Sequence, residues 1–360
     1  MTSDSSSLEA FIASMGGERQ LRVEENLGAG FVRLRVAEAE RRQAKHDIRC
    51  VEDAVIELLR NSRDAGARRI FVATTREGDL RTTTILDDGS GIPQEMHERV
   101  FDARVTSKLE SMRMDRWGVH GRGMALYSVR ENAESIRVMS SDAGLGCSIK
   151  MVTDASKLAE RADQSTWPRI GVDDDGTQSI VRGPHNIIRA CCEFALDEAG
   201  VCEVYLGSPA EIVSSVRMHV RPSITGAELL FIDALEELPV LDRLSVAADA
   251  SELLRVASSL GLEMSERTAH RIVSGEIRPL RSIYSRLTHK MPASKDREID
   301  LTRDSRKLRI TEQDIKEFSR IMERDFSFLA QRYYLSLSDD PIIRYTNGKI
   351  TVTFAVEEDD

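Results

Sequence analysis

Between Ile48 and Asp154 three polar clusters follow one another in a set order, each at the end of a different element, and this order constrains the chain more than any other feature. CVEDAVIELLRNSRDAGA reads as an amphipathic helix closed by the turn-prone Asp64, Ala65 and Gly66. Glu57, Asn61 and Asp64 stand at i, i+4 and i+7, so their polar groups share one face. Val51, Ala54, Val55, Leu58 and Leu59 lie on the other faces and can pack on a sheet. Alone, such a stripe is ordinarily a solvated helix surface. RRIFVATTREGDLRTTTILDDGSGI follows as two β-rich runs joined at Glu77-Gly78-Asp79, a hairpin signal. The second run ends in Asp87-Asp88-Gly89-Ser90-Gly91, where carboxylates meet glycines that permit unusual φ/ψ and close backbone approach. A plain turn uses the same residue types. GVHGRG at 118–123 then opens a helix, and glycines there let backbone amides face an anion at a positive helix N-terminus. The order of the three carries more than any one of them.

Glu-x-x-x-Asn-Ser-x-Asp-Ala, then Asp-x-Gly-x-Gly-Ile, then Gly-x-x-Gly-x-Gly is a compound signal, and with it the chain resembles the GHKL superfamily of ATPases. That superfamily includes DNA gyrase B, the ninety-kilodalton heat-shock chaperone, histidine kinases and MutL. ELLRNSRDAGARRI is similar to the first motif of the MutL and type II topoisomerase branches, DDGSGI to the second and GVHGRGMAL to the third. RVTSKL at 104–109 is similar to the short lid motif of MutL. The resemblance implies an α/β chain with a Bergerat-type two-layer sandwich, a mixed sheet with helices on one face, followed by a mixed α+β C-terminal region. ATP and Mg2+ are the ligands it implies.

Carried over residue by residue, the resemblance makes Glu57 the general base that takes a proton from the attacking water. Asn61 would coordinate magnesium through its side-chain oxygen. Asp87 would accept a hydrogen bond from the adenine amino group, with Gly89, Gly91 and Ile92 beside the ring. In the third motif Gly118, Val119, His120, Gly121, Arg122, Gly123 and Met124 would surround the phosphates, the glycines turning their amides inward. Thr106, Ser107 and Lys108 would sit in a lid spanning 101–117. Asp64 would bond to backbone at the pocket floor. Ser148 stands where relatives often carry a threonine near the adenine. Gly121 to Leu126 is closer to the kinase and chaperone branches than to MutL. The lysine that such ATPases usually bring to the γ-phosphate is not placed by the motifs; Lys290 and Lys349 are the candidates.

The expected organisation is an N-terminal arm and helix over 1–45 and the ATP-binding domain over 46–155. A linker and small α/β region over 156–245, a helical pair over 246–290, and a long helix with a C-terminal hairpin over 291–360 follow. The Ser-rich first fifteen residues are expected to be mobile, and FVRLRVAEAERRQAK at 31–45 reads as a charged helix. ADQSTWPRIGVDDDGTQ is the candidate linker. SELLRVASSLGLEMSERTAHRIVSGEI has Ala257 four residues before Gly261 and a Ser-initiated second helix, an arrangement a helix-turn-helix also uses. Its second helix carries Arg267, His270 and Arg271, so DNA is one partner considered, beside an ordinary helical pair. Asn347-Gly348 between alternating runs predicts a terminal hairpin.

Composition narrows the remaining classes. A formal charge of −10 argues against coating nucleic acid or anionic membrane through the overall field. The five cysteines form no CxxC pair and no zinc spacing, so reduced thiols and a cytoplasmic home are expected. Adjacent Cys191 and Cys192 read as buried filler, and His46 as a surface or capping residue. No signal peptide is expected from MTSDSSSLEAF, and no apolar run approaches the ~18 residues of a membrane span. The resulting expectation is an Mg-dependent ATP hydrolase in which nucleotide drives a conformational change or homodimerisation, with a protein or DNA as further partner. A histidine-kinase or anti-sigma-type protein kinase and a nucleotide-sensing DNA-binding regulator are the alternatives.

Overall fold

The computed structural model describes residues 23–107, 113–120, 123–161, 163–172, 178–224, 234–288, 312–333, 335–338, 340–346 and 349–358. The chain divides into two units, Met1–Lys290 and Met291–Asp360. In the first, β1 (Val23–Gly28) and β2 (Phe31–Leu34) precede α1 (Glu38–Asp47) and α2 (Val51–Asp64). Then come β3 (Arg69–Glu77), β4 (Leu80–Asp87), the short β5 (Val105–Thr106) and a small hairpin of β6 (Arg113–Asp115) and β7 (Gly118–His120). Helix α3 (Ala125–Asn132) leads into β8 (Ser135–Ser141) and β9 (Cys147–Asp154). After β10 (Arg169–Val172), β11 (Gln178–Arg182), α4 (Ile187–Asp197) and β12 (Glu203–Gly207), the unit ends in helices. These are α5 (Pro209–His219), α6 (Val240–Val246), α7 (Ala250–Ser259), α8 (Glu266–Val273) and α9 (Ile283–Thr288).

Five strands in the order β12-β3-β4-β9-β8 make a mixed sheet, antiparallel except where β12 runs parallel to β3. Successive strand residues point to opposite faces. Ile70, Val72, Ile85 and Met151 pack with Val55, Leu58 and Leu59 of α2 and Phe194 of α4. Phe71, Ala73, Leu86 and Tyr205 pack the other way, against Ile212 and Val216 of α5, Leu241 and Leu244 of α6, and Leu253 and Ala257 of α7. Phe71 and Tyr205 stack there with centroids 4.7 Å apart, worth about 0.5–1.5 kcal/mol beyond their burial. The mixed α/β class expected from the motifs is what is found, and a second helical layer is added to the face expected to be open. The run Ile70-Phe71-Val72, fully buried, is what a strand covered on both faces looks like in sequence.

Several local readings change. Residues 31–34 are strand rather than helix: Phe31, Val32 and Leu34 are buried, and β2 lies between β1 and β5, pairing Val32 with Thr106 and Arg33 with Val105. The helix begins only at Glu38, after Arg33 and Arg35. The candidate linker contributes β10, which pairs antiparallel with β11. Strand β12, from the stretch placed beyond the ATP-binding domain, completes the central sheet, and α4 packs on α2, so the expected boundary at 155 falls inside one compact unit. The turn between α7 and α8 is docked on that sheet: Gly261 takes φ +77°, its carbonyl accepts from Thr84 Oγ1 at 2.9 Å, and Leu260 and Leu262 are fully buried. Arg267, His270 and Arg271 stay exposed on α8. All five cysteines are free and buried.

The second unit consists of α10 (Glu312–Tyr333), β13 (Leu335–Leu337), β14 (Ile342–Thr346), β15 (Lys349–Thr353) and β16 (Val356–Glu358). β14 pairs with β15 and β13 with β16, and Phe326 of α10 stacks on Phe354 at 5.0 Å. The hairpin flanks are as expected, whereas Asn347-Gly348, Lys290 and the Ser-rich first fifteen residues lie outside the described residues. Among the described residues no helix is long and apolar enough to cross a membrane.

Candidate functional site

Burying Val51, Val55, Leu58 and Leu59 against the sheet leaves the stripe of Glu57, Asn61 and Asp64 on α2 partly exposed. Asn61 Nδ2 donates to the Glu57 carbonyl at 2.9 Å, which fixes the amide and sets its side-chain oxygen on the opposite side. The end of β4 brings Asp87 alongside, 4% exposed, with Oδ2 accepting from Ser62 Oγ at 2.7 Å and Oδ1 from the Gly89 amide at 2.9 Å. The next acid serves the fold instead, since Asp88 Oδ1 accepts the amides of Arg68 and Arg69 at 2.7 and 2.8 Å and ties the loop to β3.

Close backbone packing shapes the rest. Gly91 has φ +72°, and a Cβ on it would stand 1.9 Å from the Asp142 carbonyl oxygen. Gly123 has φ +68°, and its Cβ would meet the Val105 carbonyl oxygen at 2.9 Å. Gly91→Ala is therefore expected to cost about 2–4 kcal/mol, from the left-handed conformation and overpacking together. A urea unfolding midpoint equal to that of the wild type would contradict this.

A cavity of about 120 Å³ lies where these groups meet, bordered by Asn61, Asp64, Asp87, Gly91, Ile92, Thr106, Ser107 and Gly123. Eight of the expected site residues thus come together, from α2, the β4 end, β5 and the loop before α3. A second, larger cavity of about 1000 Å³ holds Glu57 and Met124, and Ala125 borders both. Asp64 Oδ1 accepts from Arg63 Nε at 2.8 Å. Gly89 packs against Ala65 rather than lining either space. Gly118 and His120 are register partners of Asp115 and Arg113 in the small hairpin, and Val119 pairs with Met114. Lys108, Gly121 and Arg122 lie outside the described residues.

Ser148 is a correction. Its neighbours Cys147 and Ile149 line the small cavity, so strand alternation turns Ser148 to the opposite face, where Oγ donates to the Leu260 carbonyl at 2.7 Å. Cys147, the register partner of Asp87, occupies the place read for Ser148. Burial, and then the Asp87 charge, push its thiol above the ordinary cysteine range, so it faces the cavity as a neutral group. The signal that could have found it is the odd-even count along β9 from Gly146.

Sequence reasoning also missed a charged cluster. Arg60 and Arg63 on α2, each with its side chain 2% exposed, both reach Asp115 of the β6–β7 hairpin. Burial works against the charge on Arg63, yet its bonds to Glu198 and Asp64 outweigh it and raise its pKa. Arg104 is buried with φ +64°, a conformation costly for a non-glycine, and pairs with Glu40 of α1. Among the described residues no group of three or more His, Cys, Asp or Glu could hold a metal ion by itself.

Comparison with known proteins falls on the same segment. Residues 48–176 match the family described as histidine kinase-, DNA gyrase B-, and HSP90-like ATPase. The DNA mismatch repair protein MutL of Thermus thermophilus is 42% identical over 94 residues, 26% of this chain and 17% of that protein. MutL of Acidiphilium cryptum is 37% identical over 108 residues, 30% of this chain and 18% of that protein. The nitrogen regulation protein NtrY of Azorhizobium caulinodans is 28% identical over 135 residues, 34% of this chain and 16% of that protein. The chain spans about a sixth of the length of these curated relatives. In motifs, in mixed α/β fold and in these matches alike, residues 48–176 resemble the GHKL superfamily of MutL, gyrase B and the histidine kinases.

Proposed function

We propose that this chain binds ATP with magnesium at the cavity between α2 and the end of β4, hydrolyses it, and couples occupancy to a conformational change or homodimerisation. The observation that supports the reading is the convergence of Asn61, Asp87, Gly91, Thr106 and Gly123, from four separate stretches of the sequence, on one cavity. At about 120 Å³ that space is below the ~300–1,000 Å³ of pockets for drug-sized ligands and suits the base. The phosphates would run past Ala125 toward the larger cavity, where Glu57 stands. Asp87, an acceptor already held by Ser62 and Gly89, would select the adenine amino group. Glu57 would take the proton of the attacking water. Asn61 offers a hard cation one oxygen, and magnesium ordinarily takes one or two protein oxygens with the rest from phosphates and water. Bound magnesium would neutralise charge on the phosphates.

Calorimetry and thermal melting with Mg·ATP, with phosphate release followed in parallel, test the reading. Binding heat, a raised melting temperature and phosphate released only with magnesium present are expected; no heat and no protection would reject it. Protein phosphotransfer is the second reading, favoured by the match to a family that takes in histidine kinase-like ATPases and by the third motif. Labelled ATP separates the two, since a kinase leaves label on protein. The third is a nucleotide-sensing DNA-binding regulator, for which the exposed Arg267, His270 and Arg271 speak. Arg271 also pairs with Glu276 at 3.1 Å, which reduces the charge offered to a phosphate. That reading predicts salt-dependent duplex binding lost in Arg267→Ala/Arg271→Ala, and equal binding by that variant would reject it.

A further inference from the structure

A guanidinium buried as deeply as those of Arg60 and Arg63 has to be met by carboxylates or carbonyls. The β6–β7 hairpin meets Arg60 three times: Asp115 takes Nε at 2.9 Å and Nη2 at 3.0 Å, and the Gly118 carbonyl takes Nη2 at 2.9 Å. The remaining nitrogen, Nη1, donates to Glu57 Oε1 at 2.6 Å. Arg63 Nη1 reaches Asp115 at 3.2 Å and Glu198 at 2.8 Å. Asp115 Oδ1 also accepts the Trp117 amide at 3.0 Å, which closes the turn. One acid on the hairpin therefore holds both buried arginines of the helix that bears Glu57.

We propose that Asp115 is a positioning residue for Glu57, acting through Arg60; the inference rests on the reading of Glu57 as the base. A two-oxygen fork fixes the plane of a guanidinium, so Nη1, and the carboxylate bonded to it, are held in one place. Asp115 also takes a share of the Arg60 charge. With that share removed, Glu57 is the only acid left on Arg60 among the described residues, and the tightened pair draws the carboxylate away from water. Asp115 acts without touching nucleotide or the attacking water, so its effect falls on the rate of the chemical step and leaves nucleotide binding alone. Hairpin position and the placement of the Glu57 carboxylate are thereby joined in one network.

The full chain, as wild type, Asp115→Asn and Arg60→Lys, tests this by steady-state ATP hydrolysis, ATP affinity and melting temperature. Arg60→Lys keeps the charge and loses the fork. Both variants are expected to lower kcat about tenfold or more, as misplacement of a catalytic group does, while KM moves by less than about twofold. The chain has two tryptophans, so in a Trp167→Phe background the emission of Trp117 reports the hairpin and is expected to shift in Asp115→Asn. Wild-type turnover with an unchanged kcat in both variants overturns this inference alone. A kcat loss matched by an equal loss of ATP affinity assigns Asp115 a structural role and overturns it as well. If Asp115→Asn melts below the assay temperature, the kcat of Arg60→Lys decides. A wild-type protein that binds ATP without hydrolysing it overturns the catalytic reading of Glu57 and this inference with it.

Discussion

Glu57→Ala is expected to lower ATP turnover by about 10²–10⁴-fold, the usual contribution of a positioned general base. Affinity for Mg·ATP should stay near that of the wild type, because Glu57 borders the larger cavity and the groups around the smaller one are untouched. Arg60 keeps Asp115 and the Gly118 carbonyl after the substitution, so its buried charge remains matched and the fold is expected to hold. Single-turnover hydrolysis beside equilibrium ATP titration separates the two effects. A rate equal to that of the wild type would remove Glu57 from the chemistry, and a parallel loss of binding would make it a ligand residue instead.

The second large effect is expected at the base end. Asp87→Asn keeps the side-chain volume but replaces one carboxylate oxygen with a donor. The Ser62 hydroxyl can turn from donating to accepting, so the substitution is expected to leave the melting temperature close to that of the wild type. Losing a charged acceptor for the adenine amino group is expected to weaken ATP binding by about 10–100-fold, in line with ~1.5–3 kcal/mol for a hydrogen bond to a charged group. Titration with ATP measures it; unchanged affinity would reject the adenine contact.

Much of the site is visible in the sequence because its parts are local. The i, i+4, i+7 stripe on α2 and the acid-glycine turn after β4 are decided by helical and turn geometry within a few residues. The same holds for Gly91 and Gly123, whose φ values of +72° and +68° a side chain would resist. Readings failed where one residue of register or one distant partner was needed. Ser148 and Cys147 differ by a single step along β9, yet that step moves a side chain from the cavity to the Leu260 carbonyl. Residues 31–34 carry the charge of a helix and the buried Phe31, Val32 and Leu34 of a strand; pairing with β5 decided between them.

From the sequence alone came the chemistry: a carboxylate one turn from an amide on a helix, an acid where a strand ends, and glycines where a helix starts, all set by neighbouring residues. Three-dimensional pairing decided the rest. It recruited β12 into the sheet, laid α5 to α8 over the face expected to be open, and brought Asp115 to Arg60 and Arg63. The physical reason is that a buried guanidinium or an uncovered sheet face demands a partner without specifying where along the chain that partner lies.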